Sequence, residues 1–225
     1  MIKSPSVIFR IDKKKDLKNI WKACNSKSSY DYDFSKSISK NIVDLCRDQE
    51  YEKIKDKLKN MLRKVHNSKI INEITISVNH SWKKIEKEYF RRMDIIMSHK
   101  LPNIKIKGYL TTISKCPYDP DKKEFMFNMF SSIPGILKIA GHEIMHLYFH
   151  QFYWKPVEKE IGYDKTADLK ESLTVLLNLE FKDLWFVKDE GYPKHHELRK
   201  FIEEEWKKDK NMNNLIKKCV NYLIT

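Results

Sequence analysis

Ile136-Leu137-Lys138-Ile139-Ala140-Gly141-His142-Glu143-Ile144-Met145-His146-Leu147-Tyr148-Phe149 is apolar at nearly every position, with two histidines and a glutamate at its centre. A segment of this length and apolarity reads as a helix, and a helix apolar on nearly all sides lies inside a domain. Positions i and i+4 share one helix face, so His142 and His146 point the same way and Glu143 projects beside them. Unpaired polar groups in such surroundings are costly. One metal ion satisfies all three. Two imidazoles reach Zn²⁺ at about 2.0–2.1 Å, and the neighbouring carboxylate can take a proton from zinc-bound water.

A catalytic zinc takes three protein ligands and leaves its fourth position to water. Phe149 and Phe152 stand where a glycine and a third histidine would extend the HExxH motif to HExxHxxGxxH. His150 lies one turn past His146, but three ligands in line along one helix surround an ion poorly. The third ligand therefore comes from elsewhere, and Glu171 is the best placed. It sits in Asp168-Leu169-Lys170-Glu171-Ser172-Leu173-Thr174-Val175-Leu176-Leu177, where Leu169, Leu173, Leu176 and Leu177 form an apolar stripe. Glu171, Thr174, Val175 and Asn178 share a different face. A loop of about a dozen residues would let this helix return antiparallel to the first and bring Glu171 to the metal. Thr174 or Asn178 would then orient a ligand, with Asp168 and Asp164 as fallback ligands.

Before the motif, Val7–Ile11 reads as a short strand and Leu17–Cys24 as a helix. The polar segment from Ser26 to Ser39 reads as a loop leading into a helix near Ile42. Ile54, Leu58, Met61, Leu62 and Val65 recur at helical spacing, as do Trp82, Ile85, Tyr89, Met93 and Ile96. Alternation and β-branching from Ile104 to Ile113 predict a strand, the turn-rich Cys116–Asp121 follows, and Glu124–Phe130 predicts a second strand. Two strands joined by a turn suggest an antiparallel pair. From Pro134 onward helices are expected at Ile136–Phe152, Lys165–Phe181 and His195 to about Leu223.

The 225 residues, 41% hydrophobic, suffice for one core. The expected class is α+β: a mainly helical region 1–100 packing on a catalytic region 101–225, in a single domain overall. Cys24, Cys46, Cys116 and Cys219 form no CxxC pair and read as buried or lightly exposed thiols. No apolar run is long enough for a membrane span, and the first residues lack a secretory pattern, so the expectation is a cytoplasmic protein. The net charge of +13 attracts acidic partners such as nucleic acid. Its lysines, however, alternate with acids, as in Lys83-Lys84-Ile85-Glu86-Lys87-Glu88, and no nucleic-acid-binding signature accompanies them. A basic nucleic-acid-binding protein is the weaker reading.

His142, Glu143, His146 and the downstream Glu171 resemble the gluzincin branch of zinc metallopeptidases, over roughly residues 104 to 200. The resemblance implies a zincin-like fold with a small antiparallel sheet before the motif helix. It implies a Zn²⁺ cofactor held by His142, His146 and Glu171, with Glu143 as general base in the hydrolysis of a peptide or protein substrate. It also implies an edge strand that binds extended substrate, here Glu124–Phe130, and a downstream His or Tyr that stabilises the oxyanion. His195 is the first choice for that duty and Tyr192 the second, in Gly191-Tyr192-Pro193-Lys194-His195-His196. Unlike the best-known gluzincins, Glu171 follows no Asn, and Val175 replaces an Asp at i+4. His142–His150 also resembles the HExxH-xxx-H stretch of ImmA/IrrE-type metallopeptidases, which cleave repressor proteins. Leu179-Glu180-Phe181 stands where that family has an LLMP-like ending.

Overall fold

Two short stretches rich in β-branched and aromatic residues, Ser6–Arg10 (β1) and Lys105–Thr111 (β2), pair in parallel, with Val7 opposite Ile106 and Arg10 opposite Tyr109. The structure, a computed structural model, describes residues 5–26 and 33–224. Parallel neighbours need a long crossover, and helices supply it: α1 (Lys13–Asn25), α2 (Lys40–Cys46), α3 (Tyr51–His66) and α4 (Lys69–Ile96). Part of the expected loop before α2, residues 27–32, lies outside the described residues; its later part contains a 3₁₀ turn at Phe34–Ser37.

Beyond β2 the sheet departs from the expected antiparallel pair. The chain reverses once between Thr111 and a two-residue strand β3 (Tyr118–Asp119), and again before β4 (Glu124–Asn128). Two reversals restore the original direction, so β4 runs parallel to β2, with Tyr109 opposite Met126. Only β3 is antiparallel, pairing Tyr118 with Phe125. The sheet is mixed, in the order β1-β2-β4-β3. The outer strand on this side is therefore β3, and the expected edge strand Glu124–Phe130 lies inside the order. Gly108 sits mid-sheet, where a Cβ would come within 2.9 Å of both Phe9 and Phe125.

The other edge is covered by α4. Glu86 Oε1 accepts from the Val7 N–H at 2.7 Å. Asn79 accepts from the Phe9 N–H at 3.0 Å and donates to the Phe9 carbonyl at 2.9 Å. Side chains thus satisfy backbone groups that a further strand would otherwise pair.

The apolar segment forms α5 (Ile133–Phe152), capped by Ser132, whose hydroxyl accepts from the Gly135 N–H. Pro134 occupies the first turn, where no N–H partner is needed. Of its side chains Ile136, Ala140, Ile144, Leu147 and Tyr148 are fully buried. Gly141 permits close packing: a Cβ there would lie 2.6 Å from Trp185, and Tyr89 donates to the Gly141 carbonyl at 2.7 Å.

No dozen-residue loop follows. The helical α6 (Trp154–Leu173) begins at once and breaks sharply at Gly162, whose φ of 78° suits glycine. The break turns the second half of α6 back along α5. The expected single helices over Lys165–Phe181 and His195–Leu223 are each divided. Short α7 (Leu176–Glu180) and α8 (Lys182–Trp185) follow α6, then α9 (His196–Lys208) and α10 (Met212–Ile224).

The result is mostly helical α+β with a small mixed sheet. Its main core joins Phe9, Trp82 and Tyr89 to Phe127, Ile144, Leu169 and Trp185. A second cluster around Leu17, Ile20 and Leu58 holds α1, α2 and α3 together. The four cysteines are free thiols. Among the described residues no helix is long and apolar enough to cross a membrane.

Candidate metal centre

His142 and His146 project from one face of α5 and Glu171 meets them from the returning half of α6. One ligand atom from each lies within 4.8 Å of the others, a group that could hold a metal ion. Glu171 Oε2 is 3.4 Å from His142 Nε2, and Glu171 Oε1 is 3.4 Å from His146 Nε2. The group opens into a cavity of about 920 Å³, lined also by Glu143, Tyr118, Cys116 and Tyr192.

Two observations fit a cation here. Neither ring nitrogen of the buried His146 makes a hydrogen bond, and Glu143 Oε2 is likewise buried without a hydrogen-bond partner. Orphaned polar atoms of this kind are expensive in a folded protein. The charges agree. Burial opposes a charge on Glu171, but His146, His142 and Lys170 hold its carboxyl well below the usual range. Burial, reinforced by Lys170, pushes His146 down to about 3, which keeps its ring neutral and its lone pair free. Burial also opposes a charge on His142, yet Asp189 and Glu171 outweigh it and raise the imidazole to about 10. The flanking carboxylates make this a place that favours positive charge. Burial and the neighbouring Glu171 push Glu143 up to about 7, against the pull of His142, Lys170 and Lys138.

Asp189 is the residue that sequence reasoning missed. Its Oδ2 lies 2.8 Å from His142 Nδ1. A carboxylate can only accept, so Nδ1 carries the proton and Nε2 faces Glu171. Thr174 and Asn178, expected to orient a ligand directly, act through Asp189 instead. Thr174 Oγ1 donates to Asp189 Oδ1 at 3.0 Å, and Asn178 bonds both the N–H and the carbonyl of Asp189. Arg199 completes the cradle, donating to Thr174 Oγ1 at 2.7 Å and approaching Asp189 Oδ1 at 3.2 Å. Gly191, with φ of 68°, lets the backbone cross this guanidinium, where a Cβ would come within 2.7 Å of Arg199 Nη1. The only sequence signal for Asp189 was a charged run, Lys188-Asp189-Glu190, that reads as surface.

The remaining candidates separate cleanly. His195 is buried but turned toward Asp168, with Nε2 at 3.0 Å from Asp168 Oδ1, and is not among the cavity-lining residues. Tyr192 does line the cavity, and burial together with Glu171 and Glu143 raises its phenol, keeping it protonated. Asp168 also pairs with Lys194 at 2.8 Å, and Asp164 is exposed at the cavity rim; neither belongs to the ligand group. His150 stands apart too, its Nε2 2.7 Å from the Tyr118 hydroxyl. On the sheet side the cavity is bordered by Ser114–Tyr118, which leads into β3.

Compared with protein-family models, with curated proteins and with solved structures, the chain gives no match.

Proposed function

We propose that the protein is a zinc-dependent peptidase of the zincin type. The observation that carries this reading is the convergence of His142, His146 and Glu171 beside Glu143, whose buried Oε2 has no hydrogen-bond partner. Two imidazoles and one carboxylate form a donor set found at catalytic zinc. The 3.4 Å between His142 Nε2 and Glu171 Oε2 is close to the edge of a tetrahedron built on bonds of about 2.0–2.1 Å. Bound there, zinc would polarise a scissile carbonyl and bring the pKa of a coordinated water toward about 7.

Every other part falls to the chain's own groups. His142, His146 and Glu171 hold the ion, and Asp189 fixes the orientation and tautomer of His142. Glu143 takes a proton from the attacking water and later delivers it to the leaving amine, duties suited to a buried carboxyl beside the ligands. Extended substrate adds along the outer side of β3 and the preceding Ser114–Pro117, rather than along β4. Tyr192, which lines the cavity, would donate to substrate, while His195 is bonded to Asp168.

Glu143→Gln tests this directly. The amide preserves shape but cannot accept the proton, so the variant should keep stoichiometric zinc and lose turnover of a peptide library by about 10²–10⁴-fold. A zinc-loaded Glu143→Gln protein that cleaves as fast as the parent overturns the reading.

A further inference from the structure

Lys170 is a buried ammonium that the proposed reaction leaves without a duty. Lysine is almost never fully buried unless paired, and here the residue is only 5% exposed. Its Nζ lies 2.7 Å from Glu171 Oε1 and 2.9 Å from the Tyr118 hydroxyl, and sits 4.6 Å from the centre of the Tyr118 ring. Tyr118 is anchored in turn by His150. Consecutive residues on a helix point about 100° apart, so the head groups of Lys170 and Glu171 meet only because the long lysine stem curls back over the carboxylate. Lys170 and Tyr118 both line the cavity that holds the three ligands.

Two consequences follow for any ion held by Glu171. The ammonium engages one carboxylate oxygen, so Oε2, facing His142, is the oxygen left for a metal. An ammonium on one oxygen of a ligand carboxylate also lies within about 7 Å of a cation bound to the other oxygen. At that separation in a water-poor cleft, like charges repel strongly. Repulsion of this kind weakens metal binding, yet a fixed cation in the same place stabilises negative charge that develops on a bound carbonyl.

We propose that Lys170 is a built-in cation of the reaction centre, which restricts Glu171 to one oxygen toward the metal and offsets charge on the substrate oxyanion, at a cost in metal affinity. It takes the electrostatic duty that the gluzincin resemblance assigns first to His195. The substrate half of this proposal rests on the peptidase reading; the affinity half needs only that the three ligands bind zinc.

The test compares the full-length parent with Lys170→Met and Lys170→Arg. Zinc affinity is measured by competition with a chromophoric chelator, and kcat and KM on a peptide that the parent cleaves. Methionine matches the stem and removes the charge, so Lys170→Met should bind zinc about tenfold more tightly while kcat falls about a hundredfold at similar KM. Lys170→Arg restores the charge and should return affinity toward the parent value and recover part of the turnover. A merely structural lysine predicts the opposite for zinc, since losing a ligand-orienting partner weakens metal binding by about 10–100-fold. Weaker or unchanged zinc binding in Lys170→Met overturns the affinity half. Unchanged kcat overturns the substrate half. If the parent itself cleaves no peptide, the peptidase reading and the substrate half fall together, and the zinc affinities still decide whether Lys170 opposes the metal.

Discussion

His142 depends on a carboxylate 47 positions away for its orientation. Asp189 is 2% exposed and is gripped by Thr174, Asn178 and Arg199, so it reaches His142 as a fixed acceptor. Asp189→Asn keeps the shape and most of the hydrogen bonds but removes the charge that makes the imidazole a stronger ligand. Zinc affinity should fall by about tenfold or more, measured by chelator competition with circular dichroism as a check on folding. A change of less than twofold would show that the charge on Asp189 does not matter to the ligand. The contrast with Glu171 explains what was legible at this scale. Glu171 stands out because it lies on a helix with a leucine stripe, at a spacing that allows it to return to His142 and His146. Asp189 and Lys170 sit in charged or amphipathic stretches whose pattern is that of surface residues, and only three-dimensional proximity gives them a role.

Among the elements, α5 was readable from sequence because nearly every position is apolar, which fixes both its helicity and its burial. The sheet was readable only as strands. Its pairing turns on β3, two residues long and without a pattern of its own, and on the union of β1 with β2 across four helices. The turn between α5 and Glu171 was misread as a loop because Gly162 alone carries the reversal. Gly141 shows how tightly α5 is seated. An added methyl would press on Trp185 at 2.6 Å, against a ring that is itself fully buried. Gly141→Ala should destabilise the fold by about 1–3 kcal/mol. In urea melts this appears as a lower midpoint with an unchanged slope; a midpoint equal to the parent's would mean that the α5–α8 packing relaxes freely.

On the scale of the whole molecule, the three proposed ligands come from two helices that the main core locks together, so zinc held there would couple to global stability. At a free zinc concentration a hundred times its Kd, a folded-state ligand contributes about 2.7 kcal/mol. For a chain of this size that corresponds to a Tm higher by about 5–10 °C than after chelation. A His142→Ala/His146→Ala double variant should show no zinc-dependent rise, and a parent protein whose Tm ignores zinc would disconnect the site from the fold. The order of residues along the chain adds a consequence for biosynthesis. The motif histidines leave the ribosome 25 residues or more before Glu171, and Asp189 follows later still. At about 5–20 residues per second, a nascent chain carries two exposed imidazoles for seconds before their carboxylates arrive. On the proposed reading the metal site is assembled only after Asp189 has emerged, when the sheet that borders the cleft is already complete.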